Sequence, residues 1–232
     1  MEKLVEFRGL KFYQSEFKIS SDNALFFDFV RLPKGGVAVE LGAGFGLGTV
    51  LLAKRYPNTQ IVAVEYQKPL YELLLKNLSL NGVENVKPLL CDVREIERCL
   101  PPQMADVVFS NPPFWRREYL NPSTKRGEVF VKANYEVETE YTHFLRAAKY
   151  LLKSHKEFFF MFDSKRLDEV LCRLRELKFA PLELRLVFPT EGKFSNVFFV
   201  RSKLGGKGGD LKVDYVIGSS PKGVKGKKHQ KG

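Results

Sequence analysis

The sequence predicts an α/β fold: a doubly wound, mostly parallel sheet of seven strands whose last strand runs antiparallel. Three observations predict it. Short apolar runs alternate with helical stretches from Val37 onward, the pattern of βαβ units. The run Phe158-Phe159-Phe160-Met161-Phe162 is apolar on both faces, as a strand covered by helices on two sides must be. The stretch Pro189–Ser195 between the final two runs is too short for a parallel crossover, so those strands form an antiparallel hairpin.

The elements follow in order. Ser20 or Asp22 can cap a helix through Asn23–Leu32, ended by Pro33-Lys34-Gly35-Gly36. Val37–Leu41 is the first strand, and Leu47–Arg55 a helix stopped by Pro57-Asn58. Ile61–Glu65 is a strand. Pro69–Asn81 is a helix, with proline in its first turn and Asn81-Gly82 at its end. Val86–Cys91 and Ala105–Ser110 are strands around a short helix, Arg94–Leu100. A long helix, Val137–Lys153, precedes the strand Phe158–Phe162, and a helix over Lys165–Lys178 leads to strands Leu182–Phe188 and Val197–Arg201. His143 and His155 belong to the long helix and its end.

The 232 residues suffice for one sizeable core. No apolar run reaches the roughly 18 residues that span a bilayer. The start, Met1-Glu2-Lys3-Leu4-Val5-Glu6, lacks a signal peptide's apolar stretch, which makes the cytoplasm the expected location. Cys91, Cys99 and Cys172 match no zinc spacing and are expected to be reduced, mostly buried thiols. No metal site is expected. The formal charge is +11, with five lysines (Lys222, Lys225, Lys227, Lys228, Lys231) in the last twelve residues. Such a balance suits a polyanionic partner, most simply nucleic acid, although a basic solvated surface is the plain alternative.

Gly42, Gly44 and Gly46 recur at alternate positions after the first strand and before a helix. Glycines allow a tight turn and a close ligand, and the helix start offers free N–H groups. A dinucleotide fingerprint fails here, because its third glycine would fall at Leu47. Three acids end three successive strands: Glu40, Glu65 and Asp92. They line one edge of the sheet, where open α/β folds bind ligands. A carboxylate at Glu65 can accept two ribose hydroxyls, and Asp92 can meet an adenine amino group. A ligand with ribose, adenine and a zwitterionic tail but no phosphate fits, namely S-adenosyl-L-methionine. Tyr66 and Val93, beside two of the acids, are counted with this site.

Asn111-Pro112-Pro113-Phe114 follows the fourth strand. A planar amine is a poor nucleophile because its lone pair is delocalised. A site that accepts hydrogen bonds from both its N–H groups draws the nitrogen toward tetrahedral geometry and aims it. Asn111 brings a side-chain carbonyl and Pro112 a backbone carbonyl. The prolines stiffen the loop and remove opposing N–H donors. Phe114 gives a planar base a face to stack on. Asn111 to Phe114 are therefore the candidate catalytic residues, with Asn111 also facing the cofactor. Arg116, Arg117, Lys125 and Arg126 lie in the long loop that follows and are candidate RNA contacts.

These motifs resemble class I S-adenosyl-methionine-dependent methyltransferases, which have a Rossmann-like fold. The family's first motif matches Glu40, Gly42, Gly44 and Gly46, its ribose acid Glu65 and its adenine contact Asp92. Asn-Pro-Pro-aromatic is shared there by enzymes acting on adenine N6, guanine N2 and glutamine nitrogen. Flanking segments are similar to bacterial tRNA(Val) adenine-N6 methyltransferases: Phe17-Lys18-Ile19-Ser20-Ser21-Asp22, which closes over the cofactor in that family; Val64-Glu65-Tyr66-Gln67; Ala133-Asn134-Tyr135-Glu136; and the Gly205–Val213 stretch. Asn134 and Tyr135 replace that family's usual Arg-His, Phe114 stands where Tyr is commoner, and the lysine-rich end past Pro221 is extra. The expected organisation is an N-terminal segment 1–36 packed on the core and the cofactor site, one methyltransferase-like domain over 37–204, and a Gly/Lys-rich tail 205–232, partly disordered. The resemblance implies methyl transfer to adenine N6 in RNA, tRNA foremost. Guanine N2 in ribosomal RNA and glutamine in a release factor are the alternatives. A non-catalytic RNA-binding module and a nicotinamide oxidoreductase stand further off.

Overall fold

The computed structural model describes residues 2–15, 18–116, 118 and 127–218. Phe17, Arg117, Lys125, Arg126 and the lysine-rich end past Pro221 lie outside these residues. In chain order the elements are β1 (Lys3–Phe7), β2 (Leu10–Gln14), α1 (Ser21–Phe29), β3 (Val37–Leu41), α2 (Leu47–Arg55), β4 (Gln60–Glu65), α3 (Lys68–Leu80), β5 (Val86–Leu90), α4 (Ile96–Cys99) and β6 (Ala105–Ser110). Then come β7 (Trp115–Arg116), α5 (Glu128–Asn134), β8 (Tyr135–Glu136), α6 (Tyr141–Leu151), β9 (Leu152–Asp163), α7 (Leu167–Glu176), β10 (Phe179–Phe188), β11 (Val197–Leu204) and β12 (Lys212–Ile217).

Eight strands form the main sheet in the order β12-β10-β11-β9-β6-β3-β4-β5. β11 is antiparallel to both neighbours, and the other seven strands are parallel to one another. The predicted reversed strand is thus present, inserted between β10 and β9. The eighth strand, β12, comes from the stretch read from sequence as a tail. Its Lys-Val-Asp-Tyr-Val-Ile alternation pairs with β10 from Glu183↔Lys212 to Phe188↔Ile217.

The central strands of the sheet are buried on both faces, which explains their unbroken apolar runs. Phe158, Phe160 and Phe162 of β9 join the core beneath α6 and α7, with Leu145 and Leu174. Phe159 and Met161 join the core beneath α1, α2 and α3, with Phe29, Val50 and Leu74. Alternation with period two sends neighbours in β9 to opposite cores.

Several boundaries differ from the sequence reading. The long helix is shorter: Glu140 caps it, exchanging hydrogen bonds with His143, and its end is taken by β9, which starts at Leu152. His155, expected at the helix end, lies in that strand at a positive φ of 61°, where the register against β6 shifts. The aromatic N-terminus contains an unpredicted hairpin, β1–β2, closed by Arg8 and Gly9 at φ 53° and 76°. Positive φ at both turn residues is what a two-residue hairpin asks for. Asn77 of α3 and Asn81, its C-cap, hold the hairpin: Asn77 Nδ2 donates to Tyr13 O at 2.9 Å, and Asn81 Nδ2 to Lys11 O at 2.7 Å. The cysteines also depart from expectation. Cys91 and Cys99 form a disulfide, and Cys172 is exposed. The turn from β5 into α4 brings the two α-carbons to 6.5 Å, within bridging range. No helix among the described residues is long and apolar enough to cross a membrane.

Candidate active site

The C-terminal ends of β3, β4 and β6 open into one cavity of about 460 Å³, a size typical of small-molecule sites. Its wall includes Glu40, Gly42, Gly44, Glu65, Tyr66, Asn111, Pro112, Pro113 and Phe114. Three strand ends and two loops far apart in sequence therefore meet at one place. α1 closes one side through Asn23 and Phe27, and α6 with its preceding loop closes another through Thr139 and Phe144.

The glycine turn is fixed by its neighbours. The amides of Gly42 and Ala43 both donate to Val64 O at 2.9 Å. Gly44 sits at φ 58°, a left-handed conformation that favours glycine, and there its amide donates to Glu65 Oε2 at 2.8 Å. At Gly48, in the first turn of α2, a Cβ would lie 2.2 Å from the Phe27 ring and 2.5 Å from Glu40 Oε1. Glycine at that position lets α1 lie directly on the turn.

Two buried acids face the cavity. Glu40 is 3 % exposed and accepts from the Thr49 hydroxyl. Burial, reinforced by the nearby Glu65 charge, pushes its pKa up to about 8 against the Thr49 hydrogen bond. Glu65 is 4 % exposed. Its Oε1 accepts from Tyr66 N at 3.0 Å and Gln67 N at 2.8 Å. Burial raises its pKa, opposed by these amides and by Gly44. Three N–H groups leave roughly one of its four acceptor positions to the cavity. The acid assigned from sequence to two ribose hydroxyls thus also ties the glycine turn to β4.

Asn111 is held at the end of β6, where the preceding Ser110 hydroxyl donates to Leu41 O at 2.7 Å. Its Nδ2 donates to Asn23 Oδ1 at 3.1 Å, and its Oδ1 is buried without a partner. Tyr66 OH and Thr139 Oγ1 are likewise buried and unpartnered. All three residues line the cavity, and Gln14 Oε1 is the only other such atom among the described residues. Buried polar groups are ordinarily satisfied, so three orphans around one hollow mark a place for a polar ligand. Burial, then Glu138, pushes Tyr66 up to about 12, so its hydroxyl stays protonated as a donor. Phe114 packs edge-on against Phe162 at 6.1 Å and Trp115 at 5.8 Å.

Other sequence candidates lie elsewhere. Asp92 is outside the cavity wall, with its carboxylate gripped by Arg94 through Nε at 3.0 Å, through Nη2 and through the backbone. Burial opposes its ionisation, but Arg94 holds it below the usual carboxylate range. Val93 is buried in the core under α6. Gly46 forms the N-cap of α2 at φ 89° and packs toward Leu74. Arg116, the one RNA candidate among the described residues, pairs with Glu169 and, at 3.6 Å, with Glu118. Sequence reasoning left out Asn23, Trp115 and Thr139. A lone tryptophan directly after the Asn-Pro-Pro-Phe loop was a visible signal, while Asn23 and Thr139 gave none.

Comparison with known proteins gives a consistent answer. Over 114 residues the chain is 28 % identical to a tRNA1(Val) (adenine(37)-N6)-methyltransferase of Pseudoalteromonas translucida, covering 49 % of this chain and 48 % of that protein. The chain thus spans about half the length of that curated relative. The fold matches the crystal structure of M. jannaschii TYW2 in complex with AdoMet, at TM-score 0.61 and 18 % identity, over 87 % of this chain and 85 % of that one. It also matches the M. jannaschii tRNA m1G37 methyltransferase, at TM-score 0.63 and 16 % identity, over 89 % and 57 %. The sheet is that of a Rossmann-like class I methyltransferase. The model of the TRM5/TYW2 methyltransferase domain matches residues 29–157, from the end of α1 into β9. That is more than half of the chain and carries both cavity loops, and the chain belongs to the TRM5/TYW2 methyltransferase domain family.

Proposed function

We propose that this chain is an S-adenosyl-methionine-dependent methyltransferase that modifies the exocyclic N6 of an adenine in RNA, with tRNA as the first substrate class. The observation that carries this reading is Asn111, whose side-chain carbonyl is buried and unpartnered and which lines a cavity together with two acids and a proline loop.

The residues present suit the cofactor. Two buried acids fit a ligand with an ammonium group and ribose hydroxyls, and Tyr66 and Thr139 supply free hydroxyls. Glu40 would face the ammonium, while Glu65, Tyr66 and the Gly42–Gly44 turn would hold the nucleoside. When bound, S-adenosyl-methionine supplies a methyl group on a sulfonium, already activated for transfer. Asn111 Oδ1 and the Pro112 carbonyl accept the two N–H bonds of the incoming amine and aim its nitrogen. Asn23 holds Nδ2 of Asn111 away, so the carbonyl end faces the substrate. Phe114 supports the base plane. Methylation makes the amine strongly acidic, and its proton leaves to water, so no general base is needed.

The same carbonyl pair suits guanine N2 or a glutamine amide. The +11 charge favours RNA over an acidic protein, and relatives named for tRNA methylation support that class. The relative named for adenine-N6 supports the base. The test is labelled-methyl transfer to total RNA and total protein, followed by mass spectrometry of nucleosides and peptides. The expected product is N6-methyladenosine in tRNA. N2-methylguanosine, or label in protein, would overturn the assignment.

A further inference from the structure

Trp115 is the only tryptophan in the chain. It lines the same cavity as Asn111, yet 38 % of its surface is exposed. A ring so large usually finds burial, and this one is held in place while partly open. Its backbone pairs with Tyr135 across β7 and β8. Its ring packs at 5.1 Å and 67° against Tyr135, and at 5.8 Å and 89° against Phe114. The next residue, Arg116, anchors β7 to Glu169 on α7. An aromatic side chain fixed before binding loses little further freedom when a ligand stacks on it.

The angle is informative. The Phe114 and Trp115 planes are nearly perpendicular. A base lying on Phe114 and a base lying on Trp115 would therefore be splayed, not stacked on each other. Two consecutive nucleotides take that arrangement when one is drawn out of its stack and its neighbour stays behind. Aromatic platforms of this kind accept any base, because every base has a π face.

Building on the RNA reading above, we infer that Trp115 is the stacking platform for the nucleobase adjacent to the one being methylated. The ligand class is an unpaired RNA segment of at least two nucleotides. Trp115 thus supplies RNA affinity and splays the target base from its neighbour, while Asn111 acts on the amine.

The lone tryptophan makes a direct test available on the full chain. With S-adenosyl-homocysteine saturating throughout, Trp115 emission is followed during titration with an unpaired oligoadenylate hexamer, with adenosine alone, and with a duplex of equal length. Quenching by the hexamer at concentrations where adenosine and the duplex leave emission unchanged is the expected result. In steady-state assays on an RNA the wild-type chain methylates, Trp115→Ala should raise KM roughly ten- to a hundredfold, with kcat falling far less. Trp115→Phe should recover most of the loss, and cofactor affinity should not move in either variant. A methylated RNA that leaves Trp115 emission unchanged, or a Trp115→Ala variant with unaltered KM, overturns the platform alone. Methyl transfer confined to protein overturns the RNA reading and the platform together.

Discussion

Asn23 of α1 and Asn111 of the loop after β6, far apart in sequence, are joined by one amide–amide hydrogen bond of 3.1 Å. If that bond orients the catalytic carbonyl, Asn23→Ala should lower kcat about five- to tenfold, the scale of one hydrogen bond. Cofactor affinity should stay within about twofold, and Asn23→Asp, which keeps an acceptor, should recover most of the rate. Steady-state kinetics with calorimetry of cofactor binding decide it, and equal rates for all three proteins would remove Asn23 from the mechanism. Glu40 gives a pH signature. Its folded pKa of about 8 lies above the ordinary value of 4.5. Between those values the folded chain holds a proton that the unfolded chain releases, so stability without ligand falls as pH rises through that window. A cationic ligand favours the ionised form, so cofactor affinity should rise toward about pH 8, with proton release on binding. Thermal melts and calorimetry across the range should show both trends. Glu40→Gln should flatten both, and an unchanged profile in that variant would mean another group is responsible.

Among the elements, α1 was located by its cap candidates and its Pro-Gly stop, while the residues through which it meets the site were not legible. Ser20 capped it as expected, its hydroxyl accepting from Asn23 N at 3.1 Å. That the helix would lie on the glycine turn depends on Gly48, whose missing side chain makes room for Phe27. Gly48→Ala should destabilise by about 1–3 kcal/mol through overpacking and weaken cofactor binding through Glu40; urea melts give the first and calorimetry the second. Full stability in that variant would show that α1 shifts at little cost. Strands β3 and β6 and helix α2 were legible to the residue, because apolar runs and glycine or proline stops coincide there. β12 was missed because its alternation lies between glycine- and lysine-rich flanks that read as tail. The β1–β2 hairpin was missed because Arg8 occupies a turn position where glycine or asparagine is the usual signal. The Cys91–Cys99 bridge was hidden by an odd cysteine count and depends on the turn after β5, which spacing alone does not give.

At the scale of the molecule, the parallel sheet delivers to one edge what the sequence scatters over seventy positions, from Glu40 through Glu65 to Asn111. That convergence was legible, because parallel strands all end on one side. Which acids turn inward was not. Glu40 and Glu65 reach the cavity, while Asp92 is claimed by Arg94, an interaction set by side-chain geometry beyond any strand pattern. The N-terminal segment was expected on the cofactor site, but that Asn23 of α1 and Thr139 of the loop before α6 complete the wall was not legible. The measurement that goes most directly to the proposed chemistry is the single-turnover rate of methyl transfer to RNA by Asn111→Ala, with cofactor affinity measured on the same preparation. The expected result is a rate lowered about a hundred- to a thousandfold and a cofactor Kd within about twofold of wild type. A rate equal to wild type, with the cofactor bound as tightly, would contradict the role assigned to the Asn111 carbonyl.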